Sequence, residues 1–225
     1  MPPFLAALRR RADWRYIVVA GIVKLSLLAF VVVAHAAPEA AFQSATQSFM
    51  QASAGDKAAI EPAADAFDAL LKAEPANPVL MVYAGASTAL KASTTALPWK
   101  KMSYAEDGLA QIDKALAMLT PAHDAPVQRG TPGSLEVRFV AANTYLAMPS
   151  FMNRGERGAK LLTQVLASPL FERAPLPFKG AVWMRAALLA AKEQRGDDAK
   201  RLYNEVIQHA APQADAARAR LKEVA

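Results

Sequence analysis

The stretch Trp183-Met184-Arg185-Ala186-Ala187-Leu188-Leu189-Ala190-Ala191-Lys192-Glu193-Gln194-Arg195-Gly196-Asp197-Asp198-Ala199-Lys200-Arg201-Leu202-Tyr203-Asn204-Glu205-Val206 carries two helical periodicities with one glycine between them. Trp183 and Ala187 stand four apart before the glycine. Ala199, Tyr203, Val206 and Ala210 follow it at spacings of four, three and four, which put them on one side of a helix. Gly196-Asp197 supplies the turn, and Asp197 with Asp198 complements the dipole in the first turn of the second helix. The segment therefore reads as a helical hairpin, with helices over 178–195 and 197–210.

The same signals extend outward. Ala63, Phe67, Leu70 and Leu71 form one apolar stripe. Leu109, Ile112, Leu116 and Leu119 form a second, and Leu135, Phe139, Ala142 and Leu146 a third. Turn residues separate them at Gly55-Asp56, Pro75 to Pro78, Pro98, Pro149, Gly155 and Pro175 to Pro177. Helices are expected over 39–54, 57–74, 78–93, 102–119, 134–148, 155–168, 178–195, 197–210 and 213–224. That is four antiparallel hairpins and a C-terminal closing helix, an all-α chain. Alanine, the best helix former, supplies 51 of 225 residues, and no run alternates long enough to make a strand. The longest connection, 120–133, holds three prolines and two glycines.

Residues 183–206 resemble a tetratricopeptide repeat. Trp183 takes the early aromatic place of the first helix and Ala187 the small residue at the helix–helix contact. Ala199, Tyr203 and Val206 take the small, aromatic and apolar places of the second. Ala63, Phe67 and Leu70 repeat that spacing, with Pro75 closing the helix, while Ala159-Lys160-Leu161-Leu162 echoes the pattern more loosely. The resemblance implies a right-handed α-solenoid over 37–225, whose first helices line a groove that binds peptides. In this register Pro78, Met81, Gly85, Thr88 and Ala89 line it in the second hairpin. Ala181, Met184, Leu188, Ala191 and Lys192 line it in the fourth. Met81, Thr88, Met184, Leu188 and Lys192 are the candidate groove residues. Lys192 alone suits a terminal carboxylate, so that mode is set aside. The groove takes either an amphipathic helix from a partner or the closing helix 213–224, which must bury Ala214, Ala217, Leu221 and Val224.

Ahead of the repeats, Lys24 precedes the apolar run 25–34, and Ala34-His35-Ala36 follows, the layout of a secretory signal. Cleavage is expected between Ala36 and Ala37. The rival is an uncleaved anchor, because residues 16–34 approach the ~20 apolar residues a bilayer needs, although Lys24 interrupts them. Export with cleavage would place the mature chain in a bacterial periplasm or secrete it; without cleavage the chain would be tethered to the inner membrane facing the periplasm.

Composition excludes several classes. Without cysteine there is no disulfide, thiol chemistry or thiolate metal site. The net charge of +6 lies largely in residues 1–36; the remainder carries 21 basic and 19 acidic residues, too balanced for a nucleic-acid surface. His35, His123 and His209 have no companions at metal-ligand spacing, and no nucleophile elbow or phosphate loop is present. No catalytic residue, cofactor or metal is assigned. The candidate surface contacts are Trp99 with Lys100 and, at a later turn, Arg154 with Arg157. The expected role is an exported scaffold for another envelope protein, not an enzyme. The alternative is a small-ligand binder or enzyme, which would need Tyr83, Arg138, Asn143 and Tyr145 around one cavity.

Overall fold

A computed structural model describes residues 36–224 of the chain. The expected export signal or uncleaved anchor, residues 1–36, lies outside the described residues except for Ala36. Ala36 and Ala37 are the first two residues of helix α1. Among the described residues no helix is long and apolar enough to cross a membrane.

Nine α-helices follow in order among the described residues: α1 Ala36–Ser53, α2 Ile60–Ala73, α3 Pro78–Leu90, α4 Pro98–Ala117, α5 Gly133–Ala147, α6 Gly155–Leu166, α7 Leu176–Lys192, α8 Gly196–Gln208 and α9 Ala214–Leu221. Each falls where the periodicity expects one, and no strand occurs among the described residues. The clearest displacement is α4. It begins four residues early because Pro98 occupies its first turn, where a missing N–H leaves no bond unmade. Asn77 starts α3 by accepting from the N–H groups of Val79 and Leu80 at 3.0 and 3.3 Å.

Neighbouring helices pack in sequence, α3 on α4, α5 on α6 and α7 on α8, with α3 also against α5 and α9 against α8. The core of residues 41–225 begins at an aromatic group from α1, α2 and α3. Phe67 stacks on Tyr83 at 4.7 Å, while Phe42 meets both rings edge-on. It continues through Leu109, Ile112, Leu135, Val137, Tyr145, Leu162 and Val165 to Trp183, Tyr203 and Val206, all buried. Ala187 and Ala199 are both fully buried in the last hairpin.

The α3–α4 crossing depends on two glycines. A Cβ on Gly85 would lie 2.7 Å from the Gly108 carbonyl oxygen, and one on Gly108 would lie 2.7 Å from the Ala89 nitrogen. Bare backbone lets these helices meet with almost no side chain between them. Gly85 and Ala89, expected in a groove, therefore sit in this crossing. The closing helix also differs from one expectation: α9 is short and packs on α8, with Ala214 and Ala217 buried.

Candidate functional site

The 120–133 connection is tied down at both ends. Thr120 and His123 form a reciprocal cap, the Thr120 N–H donating to His123 Nδ1 at 3.0 Å. The Ser134 hydroxyl donates to Asp124 Oδ1 at 2.5 Å. Between them the chain doubles back, with the Val127 N–H on the Thr131 carbonyl at 2.9 Å and the Gly130 N–H on the Val127 carbonyl at 3.0 Å. At the tip, Arg129 adopts the left-handed backbone region, φ 61°.

That conformation aims Arg129 at α1, α3 and α5. Its Nη2 donates to Glu136 Oε1 on α5 and to the Tyr83 hydroxyl on α3 at 3.1 Å, and its guanidinium lies 5.7 Å from the Phe42 ring centre on α1. The Tyr83 hydroxyl donates to the same Glu136 oxygen at 2.5 Å. Glu136 is only 2% exposed, and its second oxygen, Oε2, is buried with no hydrogen-bond partner among the described residues. The Arg129 side chain keeps 39% of its surface in solvent. Burial, and then the Glu136 charge, hold the Tyr83 hydroxyl well above its ordinary pKa, so it remains a donor. The result is a buried carboxylate held by a tyrosine hydroxyl and by a part-exposed guanidinium that lies over an aromatic ring.

A second cluster joins α4, α5 and the start of α6. Asp113 accepts from the Tyr145 hydroxyl at 2.5 Å and from Arg154 at 3.3 Å, and it forms an ion pair with Arg157 at 2.5 Å. Both arginines also lie over the Tyr145 ring, at 5.7 Å for Arg154 and 5.2 Å for Arg157. Burial and the Asp113 contact raise the Tyr145 pKa. Arg154 and Arg157, read as a basic edge, thus share one carboxylate that the sequence did not single out.

A cleft of roughly 520 Å³ opens between α6, α7 and α8. Leu162, Phe171, Trp183 and Leu202 are among its apolar lining residues, and Glu172, Glu193 and Arg195 among its polar ones. Arg195 is already engaged, by Glu193 and Asp198 at 2.6 Å each.

The expected groove residues separate. Met81 is 4% exposed within the core, because α3 is covered on several sides at once; it does not line an open groove. Thr88, Met184 and Leu188 are half-buried and Lys192 is exposed. None of the five lines the cleft, which uses another face of α7. Tyr83, Arg138, Asn143 and Tyr145 do not surround one cavity. Tyr83 serves Glu136 and Tyr145 serves Asp113, while Arg138 bonds the Ser134 carbonyl and the Asn143 carbonyl accepts from Arg185. No group of three or more potential metal ligands occurs among the described residues.

Trp99 stands 66% exposed in the first turn of α4, beside exposed Lys100 and Lys101, with Leu97 and Met102 also open to solvent. Leu97 and Trp99 precede the part of α4 that packs on α3, which leaves them open. Arg129, Glu136 and Asp113 escaped the sequence reading. The available signal was an acid embedded in apolar neighbours, Leu135-Glu136-Val137 and Ile112-Asp113, which also fits an ordinary solvated face. Comparison of the chain with protein-family models, with curated proteins and with solved structures gives no match.

Proposed function

We propose that the chain is an interaction scaffold of the bacterial envelope: a right-handed α-solenoid of about four hairpins, similar to tetratricopeptide repeats, that presents a surface to another protein and does no chemistry of its own. The observation that carries the reading is the succession of contacts between alternate helices. Phe42 of α1 meets Tyr83 of α3 at 5.8 Å, α3 packs on α5, and Phe139 of α5 meets Phe178 of α7 at 5.3 Å. Contacts between every second helix are what stacked hairpins produce, and stacked hairpins bury a continuous core while leaving extended surfaces for partners. The open Leu97-Trp99-Met102 patch with Lys100 and Lys101 supplies an aromatic anchor with a basic rim, the composition of an interface centre. Export rests on the signal-like layout of residues 24–36.

The test is crosslinking in living cells with a C-terminally tagged chain, followed by mass spectrometry of what copurifies. One dominant envelope protein, crosslinked at α4's N-terminal turn, is the expected result. No partner above background across growth conditions overturns the reading. An intact-mass measurement on the purified chain separates the processed form, beginning at Ala37, from the tethered one.

A further inference from the structure

Glu136 is half-used. A guanidinium ordinarily engages a carboxylate with two parallel N–H donors, one to each oxygen. Arg129 brings a single nitrogen, Nη2, and places it on Oε1, the oxygen that Tyr83 already uses, while buried Oε2 goes without a partner among the described residues. The single-nitrogen contact goes with an unusual backbone. Arg129 reaches the carboxylate from a three-residue turn, Gln128–Gly130, with φ 61°, a left-handed region that residues other than glycine seldom adopt. Around the Arg129 guanidinium are features that suit a guanidinium from any source: the Phe42 ring, the Tyr83 hydroxyl and an opening to solvent along Arg129.

We propose that the Phe42–Tyr83–Glu136 pocket is a binding site for an arginine side chain of a partner protein, and that Arg129 is the chain's own stand-in, lifted out when the partner's arginine arrives. A guanidinium presented from outside is free of the turn and engages both oxygens of Glu136. Arg129 then swings into solvent and the turn relaxes. The site is shut to anions by the Glu136 charge, and a lysine ammonium cannot reproduce the planar two-point contact. The inference rests on the scaffold reading for the origin of the arginine, but it concerns a site that purified protein can report without a partner.

The experiment uses the full chain and Nα-acetyl-arginine amide as probe, with the uncharged citrulline analogue as control. Amide hydrogen exchange is followed across residues 126–132. The arginine probe is expected to accelerate exchange there saturably, and the citrulline analogue is expected to leave it unchanged. In E136Q the acceleration disappears. R129A, freed of its internal competitor, binds the probe at least about tenfold more tightly than the wild type, as expected when the competent state is no longer a minor one. If R129A does not fold, as judged by circular dichroism, the wild-type and E136Q arms decide alone. Exchange indifferent to the arginine probe, or accelerated equally in E136Q, overturns the proposal. Failure of partner capture alongside accelerated exchange would strike the scaffold reading and leave this site standing.

Discussion

At the residue scale, two buried tyrosines of this helical core are paired with carboxylates, and they make the fold sensitive to alkali. Tyr83 and Tyr145 each donate to an acid and are kept protonated by burial. In the unfolded chain both would ionise near pH 10. Unfolding above that pH therefore releases protons. Their contribution is complete below about pH 10 and is lost as the pH rises through the higher native values, each tyrosine adding up to about 1.4 kcal/mol per pH unit to the slope. Urea midpoints measured from neutral pH to about pH 11 should stay level and then fall, and the fall should shrink in Y83F/Y145F. Asp113 belongs to the same scale. It satisfies one tyrosine and two arginines, so D113N and Y145F should not add: a double-mutant cycle in urea should show coupling of roughly 1–2 kcal/mol.

At the element scale, helix crossings sort the glycines. Gly85 and Gly108 face each other's backbone, and a methyl at either would overlap the neighbouring helix. G108A should therefore lose about 1–3 kcal/mol in chemical denaturation, the usual effect of overpacking. At Gly155, the first residue of α6, an added methyl would meet nothing within 4 Å. G155A should gain about 0.4–1 kcal/mol, by restricting the unfolded chain and raising helix propensity. The same substitution thus carries opposite signs in two helices, and only the approach of a second helix distinguishes them. A result of equal sign in both would show that the α3–α4 crossing is looser than described.

At the scale of the whole molecule, stability and recognition draw on different residues. The core runs through α1, α3, α5 and α7 and their partners without using Trp99 or Lys100. W99S should change the urea midpoint by less than about 0.5 kcal/mol, as for a solvent-exposed position away from the core. On the scaffold reading it should nevertheless reduce the crosslinked partner severalfold. Loss of stability in W99S would show that the ring is covered in solution. Unchanged capture would move the contact surface elsewhere on the chain.

The nine described helices, their order and most of their ends could be read from the amino-acid order, because periodicity, capping residues and proline act within a few residues of one another. The last hairpin, with Trp183, Ala187, Ala199 and Tyr203 all buried, was legible in the same way. The exposure of α3 was not. Its Met81 and Gly85 faced the groove by analogy with a repeat register, yet Met81 is buried and α4 closes over Gly85. The pairing of Glu136 with Tyr83, 53 residues away, and of Asp113 with Tyr145, 32 away, was equally hidden. Charge and helical spacing describe one segment at a time, so the amino-acid order by itself determined which segments are helical and where they turn. Which face is buried, and which acid meets which base, depends on how those segments are brought together, and only the tertiary structure decided that.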